Sequence, residues 1–342
     1  MKINKLHPLT IILIISMILI VPISCDSEKN FEYEIIITDI PANLEKLNTE
    51  YDDYNLDLPY PARRLLINFS SNQNSSGGNF NILSKYIDIS YHQKDDILNF
   101  KIPTNTGNSS YVNKLLQLVN TNSDEFGPYS FSGSHGWDYF FYANNEGEDF
   151  DIKFVYTPRL DWGTYDGQER LYGPYTLTSM NSENDDIYPT LNQDTTKIFF
   201  CSNRENSSFD IYSADINHSD LLHEYLTNSN SVQISKNLIL SSLKNDKCPS
   251  ITKNLLVFTS DREGGYGGFD LYYSLYTSDQ WSEPINFGDK INSTSDEYRP
   301  ITFTFNNFDL MIFSSNRPKG KGGYDLYCVK IEDLISNQLI LK

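Results

Sequence analysis

Short alternating runs of apolar and polar residues make up most of the chain. Ile198-Phe199-Phe200-Cys201-Ser202, Val257-Phe258-Thr259-Ser260 and Met311-Ile312-Phe313-Ser314-Ser315 each lead through a polar turn into a second run. Those second runs are Phe209-Asp210-Ile211-Tyr212, Phe269-Asp270-Leu271-Tyr272 and Tyr324-Asp325-Leu326-Tyr327. Their length, period of two and aromatic content predict β-strands. A third strand precedes each pair and opens at a proline: Tyr188-Pro189, Cys248-Pro249 and Arg299-Pro300. Two degenerate copies come earlier, Tyr60-Pro61 with Ile67–Gln73 and Phe80-Asn81-Ile82, then Gly127-Pro128 with Phe140–Asn145 and Phe150-Asp151-Ile152.

The position before the aliphatic residue is Asn81, Asp151, Asp210, Asp270 and Asp325, spaced 70, 59, 60 and 55 residues apart. Self-similarity at such a period marks an array of supersecondary units. Each unit has three regular strands and a less regular fourth, such as Gln280–Asn286. The runs lack the apolar face of a helical solenoid. The pattern therefore predicts an all-β propeller of four-stranded antiparallel blades, five by spacing with six as the alternative. Blade motifs fall near 60–85, 128–157, 189–216, 249–276 and 300–331, inside one domain over 32–342. Closing the ring needs an extra strand, for which Glu32–Thr38 beside Leu339-Ile340-Leu341 is the candidate. Tyr111–Val119, in the longest gap, has helical spacing and predicts a decoration on one face.

The N-terminus has a different character. Lys2 and Lys5 precede an apolar run, Leu9–Val21, and Ser24 stands before Cys25, the layout of a secretory signal over 1–24. The run is shorter than the ~20 residues of a membrane-spanning helix. Pro22-Ile23-Ser24-Cys25 resembles the lipobox of bacterial lipoproteins, with Pro22 departing from the usual leucine. It implies lipidation (palmitate) at Cys25, a tether over 25–31, and attachment to the bilayer through an acyl anchor. The expected location is the outer membrane, on its periplasmic side or at the cell surface. The net charge of −18 disfavours nucleic acid as a partner. Cys201, Cys248 and Cys328 form no spaced framework and read as strand residues.

At the blade residues the chain resembles the WD-like β-propeller repeats of the TolB type, in their proline, aliphatic strand, Ser-Asp-Arg turn and Asp-Ile-Tyr strand. Trp281-Ser282-Glu283-Pro284 and Ile291-Asn292-Ser293 are similar to repeats in OmpA-like envelope proteins. The resemblance implies a protein- or ligand-binding module in an outer-membrane complex, without catalysis, whose partners are envelope proteins or a surface glycan or peptide. The alternative is a carbohydrate-active hydrolase or glycan-binding propeller that uses channel carboxylates.

Several residues recur with the repeat. Arg204, Arg262 and Arg317 stand six to eight residues before Asp210, Asp270 and Asp325, close enough for a structural salt bridge across each hairpin. Acids lie three positions before the prolines, at Glu125, Asp186, Asp246 and Glu297, with Leu58 and its neighbour Asp57 in the first unit. Placed at the channel mouth they would form an acidic ring able to invite calcium; as turn caps they would bind backbone amides. The glycines at 264–268 and 320–323 lack a P-loop ending and read as hairpin turns with positive φ. Trp162 and Tyr165 mark a candidate ligand loop. The histidines show no metal spacing, so no catalytic residue, firm metal site or cofactor is assigned.

Overall fold

The computed structural model describes residues 31–59, 64–95, 97–103, 107–159, 170–216, 221–228 and 232–331. Cys25, Tyr60-Pro61, Trp162, Tyr165, His218 and Leu339–Leu341 lie outside the described residues.

Five antiparallel sheets follow one another along the chain. Inner to outer, blade 1 consists of Asp53–Asp57, Arg64–Ser71, Asn81–His92, Ile97–Pro103 and, outermost, Phe31–Ile36. Blade 2 is Glu125–Ser132, Trp137–Asn144, Asp151–Pro158 and Tyr172–Thr176, and blade 3 is Asp186–Leu191, Lys197–Ser202, Asp210–Asp215 and Ile234–Lys236. Blade 4 is Asp246–Thr252, Leu255–Ser260, Asp270–Thr277 and an outer strand split into Gln280–Trp281 and Ile285–Asn286. Blade 5 is Glu297–Phe305, Phe308–Ser315 and Asp325–Lys330, completed by Ala42–Asn43. Each inner strand packs against the next, and that of blade 5 meets that of blade 1. The five-bladed propeller is thus closed.

A segment ahead of the first repeat closes the ring as expected, but a different one. Ala42–Asn43 pairs with Tyr327–Cys328, and Leu44 N–H donates to Leu326 O. The expected closing strand, Phe31–Ile36, instead extends blade 1 along Ile97–Pro103. The apolar cores lie between blades: Leu310, Ile312 and Leu326 of blade 5 meet Leu56, Ile67 and Phe69 of blade 1, and Phe141 and Phe154 of blade 2 meet Ile198 and Phe200 of blade 3. A blade has two apolar faces and satisfies both only inside a ring. The helix forecast near Tyr111 spans Ser110–Val119. Ser109 caps it by accepting from Val112 N–H, and Leu115 and Val119 pack on Ile82, Phe140 and Tyr142 between blades 1 and 2.

The prolines have a common explanation. Each inner strand carries a β-bulge at the same point, between Tyr54 and Asp57, Phe126 and Tyr129, Ile187 and Thr190, Lys247 and Ser250, and Tyr298 and Ile301. A proline there gives up no ladder hydrogen bond. The residue that opens the bulge is left-handed in all five blades: Asn55 (φ 58), Gly127 (60), Tyr188 (58), Cys248 (56) and Arg299 (48). This alignment corrects the first repeat, whose inner strand is Asp53–Asp57 with Asn55-Leu56 at the bulge rather than Tyr60-Pro61.

The hairpin glycines need correction too. Gly264 has positive φ, but in the second hairpin Lys319 takes that conformation instead of Gly320. Their neighbours are glycine because of close approach: a Cβ at Gly322 would lie 1.8 Å from Tyr51 O, and one at Gly267 would lie 2.0 Å from Ser295 O.

Candidate functional site

The repeated polar residues build the joints between blades. Six residues before each bulge do most of the work: Asn48–Asp53, Asn120–Glu125, Asn181–Asp186, Ser241–Asp246 and Asn292–Glu297. The first side chain substitutes for a peptide group. Asn120 accepts from Ile82 N–H and donates to Ile82 O, Asn181 does the same at Ile152 and Asn292 at Leu271. The fifth accepts from an aromatic N–H of the preceding blade, as Asp124 does from Phe80, Asp185 from Phe150, Asn245 from Phe209, Asp296 from Phe269 and Asp52 from Tyr324. The sixth is the anchoring acid, and its own N–H donates to that same aromatic's carbonyl. Ring closure at Tyr324 therefore uses the same joint as the other four interfaces.

The arginines serve the anchoring acids. Arg204 Nη2 lies 2.5 Å from Asp186, Arg262 Nη2 2.6 Å from Asp246 and Arg317 Nη2 2.9 Å from Glu297, with all three carboxylates fully buried. The expected pairing with Asp210, Asp270 and Asp325 is corrected. Each guanidinium lies over two neighbouring rings of its own blade, Phe200 and Tyr212, Phe258 and Tyr272, or Phe313 and Tyr327, all near 5 Å. The hairpin aspartates bind elsewhere, Asp210 to Lys236, Asp270 to Asn286 and the amides of Tyr266 and Gly267, and Asp325 to Asn43 and the amides of Lys321 and Gly322. Gln73 and Asn81 do not pair across their hairpin; Asn81 donates to Glu125.

The acidic residues thus form a ring, but a closed one. Glu125, Asp186, Asp246 and Glu297 are fully buried, and Asp53 is the fifth member in place of Asp57. Each also accepts from the backbone N–H four residues earlier, so the turn-cap reading describes them and the open-mouth reading does not. Asp53 and Glu125 lack an arginine, and burial raises both pKa values. Among the described residues no group of three or more His, Cys, Asp or Glu is placed to hold a metal.

The channel mouth is aromatic. A pocket of about 480 Å³ is lined by Tyr54, Phe80, Phe126, Phe150, Tyr298 and Tyr324 among others. Tyr54 packs on Phe80 at 5.0 Å and on Phe126 at 5.4 Å, and Phe126 on Phe150 at 5.1 Å. Asp52 and Asp185 reach this pocket with their oxygens engaged by backbone N–H groups and by Asn72 and Asn203. Deeper in, Arg299 of blade 5 crosses to donate to Pro128 O of blade 2 and lies 5.2 Å above the Tyr188 ring of blade 3. Asp57 is buried beyond it, its pKa raised to about 6 by desolvation against weaker opposing contributions from Ser130, Asn68 and Arg299.

A second cleft lies on the opposite face, where the inner strands end. It encloses about 870 Å³ between blades 3 and 4. Phe199 and Trp281 form its apolar floor, with Tyr276 5.0 Å from Trp281 and 44% exposed. Its polar wall includes Asn192, Asp194, Lys197, Lys253, Asp279 and Gln280. The sequence showed Trp281 only as part of an irregular fourth strand. The hairpins that gather these residues are far apart in sequence.

The other reactive groups are structural. His223 stacks on Tyr156 at 4.1 Å and bonds Tyr139 Oη, and burial lowers its pKa. Cys201, Cys248 and Cys328 are buried in strands, as expected, and burial pushes all three thiols up, Cys248 to about 12.

No protein-family model matches the sequence, and no curated protein matches it. Solved structures are similar in fold. The α-L-arabinofuranosidase from Lactobacillus brevis is 8% identical, with 82% of this chain and 90% of that one covered at a TM-score of 0.49. The GH43_1 enzyme from Xanthomonas citri complexed with xylose is 10% identical, covering 86% and 90% at 0.49. Trypanosoma rangeli sialidase in complex with the inhibitor DANA is 8% identical, covering 89% and 60% at 0.45. These findings correct the TolB-type, WD-like reading and the non-catalytic protein-binding role in an outer-membrane lipoprotein complex that came with it. No family model supports that assignment, and the solved structures similar in fold are an arabinofuranosidase, a GH43_1 enzyme and a sialidase, a likeness that extends to the fold alone.

Proposed function

We propose that this chain is a carbohydrate-active propeller that binds a glycan in the cleft between blades 3 and 4. One observation carries the reading: a cleft large enough for a short oligosaccharide combines an aromatic floor with a wall of carboxylates and amides. Sugars present apolar C–H faces and a rim of hydroxyls, which match rings and bidentate polar groups respectively. The carboxylates set in the wall on two separate hairpins, Asp194 and Asp279, are the acids assigned to any chemistry on that glycan. The channel carboxylates first considered for this role are committed to blade joints.

The test is a binding and hydrolysis screen against arabinan, xylan and sialylated glycans. The proposal expects saturable binding to one class and at least a tenfold loss in Tyr276→Ala, whose exposed ring can be removed without unfolding the blade. Release of reducing sugar that disappears in Asp194→Asn or Asp279→Asn would establish hydrolysis. Absence of binding to every glycan, or binding untouched by Tyr276→Ala, would overturn the assignment of this cleft.

A further inference from the structure

The channel plug has a charge problem that the blade joints do not share. Arg299 is 1% exposed and is the largest of the fully buried side chains. It carries a guanidinium cation, yet Nε and Nη1 have no hydrogen-bond partner among the described residues, and Nη2 has only Pro128 O. The turn arginines, by contrast, each hold a carboxylate.

Among the described residues, the titratable groups that act electrostatically on Arg299 include Asp57 of blade 1, Tyr129 of blade 2, Tyr188 and Cys201 of blade 3 and Cys248 of blade 4. Burial raises the pKa of Tyr129 and of Cys248 to about 12, and those of Tyr188 and Cys201 are also raised. All four are neutral at ordinary pH. Of these groups only Asp57 can offer a negative charge, and it makes no ion pair with Arg299. Its raised pKa means that it loses the charge below about pH 6. An unpaired buried cation is unfavourable, so Arg299 favours a small species that supplies the missing charge and acceptors to Nε and Nη1.

We propose that the propeller axis carries a site for one small monoanion of halide size, held by Arg299 Nε and Nη1 beside the Tyr188 ring. Occupancy is coupled to Asp57, whose ionised form competes with the anion for the same cation. Chloride is the probe. The site is independent of the glycan cleft, which lies on the outer part of the opposite face.

Thermal unfolding is followed in sodium chloride and in sodium gluconate, a bulky anion, at equal ionic strength and at pH 5 and pH 8. A saturable rise in Tm specific to chloride is expected at pH 5, with affinity at least fivefold weaker at pH 8. In Asp57→Asn the chloride response at pH 8 rises to match that at pH 5, and in Arg299→Gln it vanishes. If Arg299→Gln does not fold, the Asp57→Asn comparison decides the matter. Chloride and gluconate indistinguishable at both pH values, or a chloride response retained in Arg299→Gln, would overturn the proposal.

Discussion

Removing Arg262 tests the blade joint most sharply. Asp246 is fully buried, and besides Arg262 Nη2 at 2.6 Å it accepts from Ser242 N–H at 2.5 Å. Arg262→Met keeps much of the aliphatic packing against Phe258 and Tyr272 while deleting the charge and the bond to Leu240 O. Breaking one side of a buried ion pair costs about 3–5 kcal/mol. At about 2–4 °C per kcal/mol for a domain of this class, Tm should fall by roughly 6–20 °C at pH 7.5. The sign of the pH dependence follows from Glu125, which occupies the same position without an arginine and whose pKa is raised by burial. An acid with a raised folded pKa destabilises the protein above that pKa and ceases to do so as pH falls through it. The difference in Tm between Arg262→Met and the parent should therefore shrink from pH 7.5 to pH 4.5, and adding Asp246→Asn should recover much of the loss at pH 7.5. Differential scanning calorimetry at the two pH values reads the parent and both variants. A penalty below 1 kcal/mol, or one equal at both pH values, would refute a buried carboxylate held by this arginine.

Three further outcomes follow from the same geometry. Asp57→Asn should stabilise the protein by about 3 kcal/mol above pH 6.5 and by almost nothing below pH 4, since burial raises this carboxyl from 3.8 to about 6; urea titrations at the two pH values check it. Asn245→Asp alone sets two carboxylates against each other, because Asn245 Nδ2 donates to Asp261, and should cost about 1–3 kcal/mol; the added Asp261→Asn recreates the Asp–Asn pair of the other blades and should restore the Tm. Gly322→Ala drives a Cβ into Tyr51 O at the joint between blades 5 and 1, and should cost about 1–3 kcal/mol, read as a lower Tm and faster proteolysis.

The blade count and the strand order within blades 2 to 5 were legible because a period-two pattern and a fixed spacing are local properties. Blade 1 was misaligned because its bulge uses Asn55-Leu56 instead of a residue followed by proline, and Tyr60-Pro61 nearby imitated the missing signal. A second motif would have corrected this. Asn48-Thr49-Glu50-Tyr51-Asp52-Asp53 matches Asn120–Glu125, Asn181–Asp186 and Asn292–Glu297 at the Asn, the hydroxyl residue after it and the two closing acids. The reciprocal exchange of Asn245 and Asp261 against the Asp–Asn pairs elsewhere also announced a contact. The arginine partners were not legible, because each Arg lies near two acids: the one close in sequence was chosen, while aromatic stacking and register selected the one across the sheet. The cleft could not be read at all, since Asp194, Tyr276 and Trp281 meet only when two blades pack.

The central claim is that the cleft between blades 3 and 4 binds a glycan, and Trp281 can report on it directly. The chain has three tryptophans, so Trp137→Phe with Trp162→Phe leaves Trp281 as the only indole. Its fluorescence is then titrated with the oligosaccharide class selected by the screen. A saturable change in intensity or wavelength, abolished by Tyr276→Ala, is the predicted result. A glycan that binds the protein without altering Trp281 emission would place the site elsewhere and contradict the account.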